Sequence, residues 1–341
     1  MDNEDIVSSN FLPQQDEEEV TLRPRYLRQF VGQPKLKENL EIFIEASRQR
    51  KESLDHVFLS GPPGLGKTTL AYIIANELSV PFKATSAPAL DKPGDLAAIL
   101  TSIEEKNVFF IDEIHRLKPI VEEILYSAME DFQVDVVIGQ GPGARSIKIP
   151  LPPFTLVGAT TKAGLVSSPL YSRFGITWRL DFYTLGDIEE IIFRSAKILD
   201  IPVEEKAAEL LSRCSRGTPR VANRILRRMR DYAQIWGNGR VTPDIVARGL
   251  QSLEIDDAGL DKLDREVLRT IITKYKGGPV GSETLAISIG ESVDTLEDIH
   301  EPFLIQGGFL KRTSRGRMVT EKAYQHLCIP FNQNEDQRFL F

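Results

Sequence analysis

The sequence predicts an α/β protein built on a parallel sheet, followed by a helical unit and a third unit of helices and a hairpin. Three short apolar segments, at 57–60, 108–112 and 154–160, are separated by segments with helical spacing. Strands buried on both faces appear as continuous apolar runs, and helices between them make the strands parallel. The chain of 341 residues is long enough for two or three domains.

The net charge of −7 is concentrated at the N-terminus. Residues 1–20 contain seven Asp or Glu and no Lys or Arg, which predicts a disordered acidic tail and leaves the rest of the chain neutral. Residues 206–248 carry ten basic and three acidic residues, and residues 311–317 carry four basic residues and no acid. The total charge therefore does not exclude a DNA partner.

Cysteine usage and the absence of targeting signals indicate a cytoplasmic protein. No apolar run approaches the roughly 18 residues of a membrane helix, and the acidic N-terminus lacks the pattern of a secretory signal. Cys214 and Cys328 lie far apart, which argues against a disulfide framework or a zinc site. We expect no membrane partner.

GPPGLGKT at 61–68 matches the phosphate-loop pattern G-x-x-x-x-G-K-S/T in full, between a predicted strand and a predicted helix at 69–78. Its glycines let backbone N–H groups surround phosphate oxygens at a helix N-terminus. We expect Lys67 to reach the β- and γ-phosphates of ATP, and the Thr68 hydroxyl to bind Mg²⁺.

Polar residues follow the second and third predicted strands. We expect Asp112 to hold Mg²⁺ through water and the adjacent Glu113 to polarise the attacking water. Thr160 and Thr161 end the third strand, at the sheet edge that faces ligands, so a hydroxyl there either senses the γ-phosphate or simply completes the strand. His115 is expected to be structural or to contact a partner.

Two arginines have neighbours that fix their direction. Arg173 lies in SRFG, after a proline-containing loop, and Arg220 follows Thr-Pro at a predicted helix start. An arginine is usually a solvated surface charge, and from the residues alone that alternative remains open for both.

Residues 133–149 predict a hairpin that projects from the first domain, with two strands around GQGPGA. In that arrangement Val136, Ile138 and Ile147 form an exposed apolar patch for a partner. The alternative is that the hairpin folds back onto its own core.

The rest of the chain predicts two further units. Residues 183–255 have helical spacing punctuated by Gly and Pro. In residues 256–341 the pattern predicts three helices and a hairpin, with Asp294 and Glu297 spaced as a capping box at the third helix. This is the order of a winged helix, a variant of helix-turn-helix.

Arg312 and Arg317 flank the predicted turn of that hairpin. We expect both to face one DNA backbone, because phosphate contacts position a protein without reading sequence. The alternative is a solvated basic turn.

The motifs GPPGLGKT, FFIDEIHR, GATT, SRFG and GTPRVANR together resemble those of AAA+ ATPases. The segments LRPRYLRQFVGQ, GTPRVANRILRRMRD and EPFLIQGGFLKRTSRGRM narrow the resemblance to the RuvB family, over residues 20–330. The resemblance implies an AAA+ ATPase domain at 21–182, a helical lid at 183–255 and a winged-helix domain at 256–341. It also implies a DNA-dependent ATP hydrolase that moves Holliday junctions in recombination and repair, with ATP and Mg²⁺ as cofactors.

The resemblance assigns roles to individual positions. Those that match the family's nucleotide-binding residues are Leu22, Arg23, Gly64, Lys67, Thr68, Thr69, Glu130, Asp131, Phe132, Tyr183 and Arg220. Thr161 matches the first sensor, Arg220 the second sensor in the lid, and Arg173 the arginine finger that reaches the neighbouring subunit. Arg312 and Arg317 match the DNA contacts of the winged helix.

The implied partners are duplex DNA at Holliday junctions, further copies of the chain in a homohexameric ring, a junction-recognition protein of the RuvA type bound to the 133–149 hairpin, and a junction-resolving nuclease. Two other functions compete with this interpretation. A clamp-loader-type switch would carry a helical collar in place of the predicted winged helix. An ATP-responsive DNA-binding regulator would leave Glu113 and Arg173 unexplained.

Overall fold

The computed structural model describes residues 21–138 and 145–331, which divide between Ile191 and Ile192 into two compact units. The predicted acidic tail at 1–20 and the tip of the predicted hairpin lie outside the described residues.

A parallel sheet of five strands forms the centre of the first unit, in the order β2-β3-β6-β1-β7. The strands of this unit are β1 (Val57–Ser60), β2 (Phe82–Ser86), β3 (Val108–Asp112), β4 (Gln133–Ile138), β5 (Arg145–Pro150), β6 (Thr155–Thr160) and β7 (Ile176–Arg179). The three predicted strands are confirmed as β1, β3 and β6, which occupy the interior of the sheet. Strands β2 and β7 were not predicted, because these edge strands are partly exposed and carry no continuous apolar run.

Helices flank this sheet. They are α1 (Pro34–Arg50), α2 (Lys67–Leu78), α3 (Pro93–Thr101), α4 (Pro119–Glu130), α5 (Ser168–Tyr171) and α6 (Leu185–Ile198), the last of which spans the division between the units. Phe58, Phe109 and Phe154 are fully buried in the core. Within the described residues, no helix is both long enough and apolar enough to cross a membrane.

Strands β4 and β5 pair antiparallel, with Val134 opposite Ile149 and Val136 opposite Ile147. Val134 is fully buried, Val136 packs against the same core, and Ile147 is 48% exposed. The prediction of a hairpin is confirmed, but the expectation that Val136 is an exposed surface residue is wrong, because the base of the hairpin is part of the core. The side chain of Ile138 and residues 139–144 lie outside the described set.

The second unit begins with lid helices and continues into a winged helix. Its helices are α7 (Glu205–Cys214), α8 (Pro219–Trp236), α9 (Pro243–Ser252), α10 (Lys262–Tyr275), α11 (Ser282–Ile289), α12 (Val293–Thr295), α13 (Glu301–Gln306) and α14 (Glu321–His326). Strands β8 (Leu310–Thr313) and β9 (Gly316–Val319) form the wing. The fold class, with a parallel-sheet P-loop domain, a helical lid and a winged helix, is confirmed.

The third helix of the winged helix starts one residue earlier than predicted and has a different cap. The Ser292 hydroxyl accepts the hydrogen bond of the Thr295 N–H, so Asp294 lies inside α12 and is not its cap. A π-helical turn (Leu296–His300) joins α12 to α13. The predicted capping box of Asp294 and Glu297 is therefore wrong, and Glu297 is free for another role.

Candidate nucleotide and DNA sites

The phosphate loop depends on glycines in conformations that other residues rarely adopt. Gly61, Gly64 and Gly66 have φ of +138°, +80° and +97°. A Cβ atom on Gly61 would lie 2.6 Å from the Leu180 carbonyl oxygen. Only glycine therefore fits this turn, which leads from β1 into α2. The loop ends at a helix N-terminus, where backbone N–H groups and the helix dipole favour anions.

Lys67 is the first residue of α2 and its side chain is buried. Its ammonium group donates hydrogen bonds to the carbonyl oxygens of Gly61, at 2.7 Å, and Pro62, at 3.0 Å. The positive charge thus lies against the loop itself, at the position where a phosphate oxygen would accept the same donors. Thr68 and Thr69 follow in the first turn and are half-buried.

An aromatic side chain from beyond the sheet packs against this loop. Tyr183 is buried, and its hydroxyl donates to the Leu65 carbonyl oxygen at 3.0 Å. A Cβ atom on Gly66 would lie 3.4 Å from the ring of Phe30, in the segment that also carries the buried Leu22. The N-terminal segment and Tyr183 therefore contribute apolar surface beside the phosphate loop, while Arg23 is half-buried.

Glu113 lies at the end of β3 in the left-handed region, with φ of +49°. Non-glycine residues adopt this conformation at a cost, so a contact must hold it in place. The carboxylate Oε2 accepts from the backbone N–H of Thr161, at 3.2 Å, and from the Thr161 hydroxyl, at 3.1 Å. The Asp112 Oδ1 atom accepts the Glu113 N–H at 3.0 Å. The structure thus brings three predicted site residues together.

His115 joins the same group. Its Nδ1 atom lies 3.1 Å from Glu113 Oε2 and 2.8 Å from the Thr160 hydroxyl oxygen. His115 was predicted to be structural or to contact a partner, because its contact with Glu113 arises from a 3-10 turn (Ile114–Arg116) that a motif does not reveal.

Arg173 is held by groups of its own chain. Its guanidinium donates to the Pro169 carbonyl oxygen at 2.6 Å and to the Glu130 carboxylate at 3.1 Å. The guanidinium carbon lies 4.5 Å from the centre of the Tyr126 ring, a cation–π distance. The side chain is 20% exposed. Arg173 is therefore an oriented group, and the alternative of a freely solvated charge is wrong.

Tyr126 is a residue that sequence reasoning missed. Its hydroxyl donates to the Glu122 carboxylate at 3.0 Å, and the Ser167 hydroxyl donates to the same oxygen at 2.7 Å. Burial raises the pKa of Tyr126 above its ordinary value. The signal was available, because Glu122, Tyr126 and Glu130 are four residues apart and so share one face of α4.

Asp131 and Phe132, which were predicted beside the nucleotide together with Glu130, lie at the end of α4. Asp131 is the C-cap, and Phe132 has φ of +50° and packs its ring against Phe154, with the centroids 6.0 Å apart. The structure brings Phe132 to the core and Glu130 to Arg173. In the second unit, Arg220 is exposed in the first turn of α8, which begins after Thr218.

The two predicted DNA contacts differ sharply in exposure. Arg312 and Arg317 are directly opposite each other in the β8–β9 ladder, so their side chains leave the same face. The Arg312 side chain is 58% exposed, and Arg317 is only 7% exposed. The expectation that both face DNA is therefore corrected, since of these two arginines only Arg312 is exposed to solvent.

Two carboxylates account for the burial of Arg317. Its guanidinium donates to Glu301 at 2.6 Å and to Glu297 at 2.5 Å. Burial by itself would raise the pKa of Glu297, but the hydrogen bonds from Arg317 and Ser282 and the charges of Arg317 and Arg312 together hold that pKa below its ordinary value. Arg312 reaches the same Glu297 at 3.6 Å. Arg317 thus supports the base of the hairpin from which Arg312 projects.

Three consecutive regions of the chain match known family descriptions. Residues 22–180 match the Holliday junction DNA helicase RuvB P-loop domain, residues 183–256 the RuvB AAA lid domain, and residues 257–328 the RuvB C-terminal winged helix domain.

Whole-chain relatives agree with these matches. The chain is 64% identical over 327 residues to the Holliday junction branch migration complex subunit RuvB of Treponema denticola, which covers 96% of this chain and 95% of the relative. It is 58% identical over 339 residues to the protein of the same name from Borreliella afzelii, with 98% of each chain covered. The solved structure of the Thermotoga maritima RuvB Holliday junction branch migration motor superposes with a TM-score of 0.85 at 53% identity, covering 92% of this chain and 100% of that one.

Proposed function

Because the chain belongs to the RuvB family of AAA+ branch-migration ATPases, we propose that it drives branch migration as a hexameric ring on duplex arms, powered by ATP hydrolysis. The observation that carries this proposal is the fixed orientation of Arg173, whose guanidinium is held by the Tyr126 ring and the Glu130 carboxylate. Family membership favours this motor over a clamp-loader-type switch and over an ATP-responsive regulator.

The phosphate loop fits ATP with Mg²⁺. The glycine turn, in which a Cβ atom on Gly61 would collide with backbone, leaves N–H groups open to phosphate oxygens. Lys67 exchanges its two carbonyl partners for β- and γ-phosphate oxygens. The Thr68 hydroxyl and the Asp112 carboxylate are the hard oxygen ligands that Mg²⁺ prefers. When bound, the ion neutralises charge that develops on the phosphates.

Glu113 is the base that polarises the attacking water. The N–H and the hydroxyl of Thr161 both donate to its Oε2 atom and so orient the carboxylate. The Nδ1 atom of His115 lies 3.1 Å from the same oxygen. A positioned carboxylate of this kind accelerates a proton transfer about 10²–10⁴-fold. Thr161 therefore acts by fixing the direction of Glu113, which gives the predicted sensor position a physical role.

Arg173 completes the site of the neighbouring subunit. An arginine that stabilises the transferring phosphoryl group is worth about 10³–10⁵ in rate. In the isolated chain its partner is Glu130, and in the ring the γ-phosphate of the neighbour replaces that carboxylate. By this arrangement Glu130 faces the neighbour's nucleotide and not the nucleotide of its own loop. Hydrolysis is then possible only at an interface between copies.

The second unit converts the nucleotide state into movement of DNA. Arg220, in the lid, bonds to the γ-phosphate and loses that partner on hydrolysis, so the lid rotates. Arg312 contacts the phosphate backbone of the duplex, without reading base sequence. The boundaries of the three domains at 182 and 255 remain part of this proposal.

The β4–β5 hairpin is the docking site for a junction-recognition protein of the RuvA type. Ile147 offers apolar surface on a hairpin whose base is fixed by Val134. A nuclease that resolves the junction acts in the same complex, in the cytoplasm, during recombination and repair.

A synthetic four-way junction tests this function. The protein is mixed with labelled junction, with and without a RuvA-type partner, and duplex products are measured together with released phosphate. We expect product that requires ATP and increases with the partner. ATP hydrolysis without strand movement in the presence of the partner would contradict the motor and favour a switch.

A further inference from the structure

A buried ionic cluster joins the lid to the winged helix within the second unit. Arg216 follows α7 in the left-handed region, with φ of +54°, and is 9% exposed. Its guanidinium donates to Asp261 at 2.7 Å and to Asp264 at 2.6 Å, and its Nε donates to the Gly259 carbonyl oxygen at 3.2 Å. One lid side chain therefore binds three groups on the far side of the connection between the two domains.

Every oxygen of Asp264 has a partner, although this side chain is fully buried. Its Oδ2 atom accepts from Arg216 and from the N–H of Asp261, and its Oδ1 atom lies 2.7 Å from His300 Nδ1. Asp261, Asp264 and His300 are close enough to hold a metal ion. The guanidinium of Arg216 already supplies the positive charge between the two carboxylates, so the cluster is an ion-pair network and not a metal site.

The cluster continues along the chain to the hairpin of β8 and β9. His300 ends the π-helical turn, and the next residue is Glu301, which binds Arg317 at 2.6 Å. Arg317 is directly opposite Arg312 across the hairpin. Side-chain contacts and one peptide bond thus connect Arg216 to the pair of strands that carries the exposed arginine.

At its other end, the cluster lies close in sequence to Arg220, the proposed sensor in the lid. Arg216 is four residues before Arg220, and the intervening loop ends at Thr218, the residue in the N-cap position of α8. A displacement of the first turn of α8 therefore moves the backbone of Arg216. Packing strengthens this link, because a Cβ atom on Gly259 would lie 3.1 Å from the Cα atom of Cys214, at the end of α7. The backbones of the two domains are in direct contact there.

We propose that Arg216 is a positioning residue that locks the lid and the winged helix into one arm, so that movement of the lid is delivered to the Arg312 hairpin. The proposal rests on the proposed motor function and adds the residue that transmits its stroke. A flexible connection would allow the lid to rotate without moving DNA. The guanidinium prevents this because Nη2 donates to both carboxylates while Nε donates to the Gly259 carbonyl oxygen. Two nitrogens of one rigid plane therefore fix orientation as well as distance.

Conservative variants test the lock. Arg216→Lys keeps the positive charge and loses the planar group whose Nε binds the Gly259 carbonyl oxygen, and Asp264→Asn removes the charge of the central carboxylate. Arg213→Lys is the matched control, because Arg213 is exposed on α7 and pairs with Glu209 in the same helix. ATP turnover is measured without DNA and at saturating duplex, together with duplex affinity and movement of a four-way junction.

If Arg216 joins the two domains, its variants lose the coupling between ATP turnover and DNA movement but still bind duplex DNA. In Arg216→Lys and Asp264→Asn, DNA stimulation of ATP turnover and junction movement fall about tenfold, while basal turnover and duplex affinity change less than about twofold. Normal coupling in the folded variants would overturn the proposal, and so would a loss of duplex affinity that matches the loss of coupling. If the unaltered protein itself shows neither DNA-stimulated ATP turnover nor junction movement, the proposed motor function is wrong. This outcome differs from the two above, which concern only the variants.

A second measurement leaves the cluster unaltered and so does not depend on the folding of these variants. A thiol-reactive spin label modifies the exposed Cys328 and an added cysteine at the exposed lid position Asn238→Cys. Cys214 resists the label, because burial raises the pKa of its thiol to about 11. If the lid and the winged helix move as one arm, the distance between the two labels is the same with ADP and with a non-hydrolysable ATP analogue. A shift in that distance between the two nucleotide states would overturn the proposal.

Discussion

The phosphate loop and the β8–β9 hairpin both carry basic side chains that we propose bind phosphate, but they hold those side chains in opposite ways. Lys67 is fixed by carbonyl oxygens five and six residues earlier in its own loop. Arg317 is fixed by two carboxylates 16 and 20 residues away, and Arg312 is left exposed beside it. The first arrangement is local and is written in a motif. The second is assembled by folding, so a basic sequence pattern did not reveal which arginine faces outward.

The largest expected effect belongs to the arginine whose proposed target is in another subunit. Arg173→Ala lowers ATP turnover by about 10³–10⁵, because the transferring phosphoryl group loses its cationic partner. ATP affinity is unchanged in equilibrium binding, because the phosphate loop is intact. Arg50→Ala, exposed at the end of α1 and paired with Glu52, is the control and retains normal turnover. A mild effect of Arg173→Ala would place this arginine outside catalysis.

Glu113→Gln is the second-largest effect. The amide keeps the volume and the left-handed backbone contacts, but it does not accept a proton, so steady-state turnover falls about 10²–10⁴-fold. The variant binds ATP with normal affinity and forms the same assembly, measured by light scattering. Turnover near the normal rate would remove Glu113 from the role of base.

At the hairpin the comparison predicts an effect on stability. Arg317→Met leaves the carboxylates of Glu297 and Glu301 without their partner in a buried position, which costs about 3 kcal/mol. Arg315→Met, an exposed arginine of the same turn, changes the free energy of unfolding by less than about 0.5 kcal/mol. Urea denaturation of the two variants measures the difference. Equal stabilities would mean that the Arg317 pairs are not formed in solution.

Arg312→Ala tests the exposed member of the same pair. Loss of one phosphate contact makes the dependence of log affinity on log salt less steep by about 0.9, with a similar weakening for every duplex sequence. Fluorescence anisotropy titrations at several salt concentrations give this slope. The control is Arg269→Ala, an exposed arginine on α10. A slope identical to that of the unaltered protein would show that the hairpin does not touch DNA phosphate.

The smallest effect is expected at Tyr126, whose aromatic ring contacts the guanidinium of Arg173. Tyr126→Leu removes a cation–π contact worth about 0.5–2 kcal/mol, which corresponds to a loss in kcat of about 2- to 30-fold. Tyr126→Phe keeps the aromatic face and retains most activity, since the hydroxyl bonds Glu122 and not the arginine. KM for ATP is unaffected in both. Equal losses in the two variants would assign the effect to the hydroxyl and contradict the aromatic contact.

Predictability from the sequence followed the same division. Groups that are consecutive in the chain were predicted: the glycine turn, Lys67, and the acidic pair at the end of β3, together with the interior strands of the sheet. Groups whose partners are distant were missed or misjudged. Val136 was expected on the surface because its burial depends on helices elsewhere, and the edge strands β2 and β7 lack the apolar runs of strands buried on both faces.

The most direct test of the account is a mixing experiment with two inactive variants. Arg173→Ala retains its own Glu113, and Glu113→Gln retains its own Arg173, so a mixed ring contains interfaces with one intact copy of each. We predict that ATP turnover, negligible for either variant alone, rises when the two are combined and is greatest near equal amounts. Turnover that never exceeds the sum of the separate proteins would contradict catalysis shared between neighbouring subunits, and with it the proposed motor.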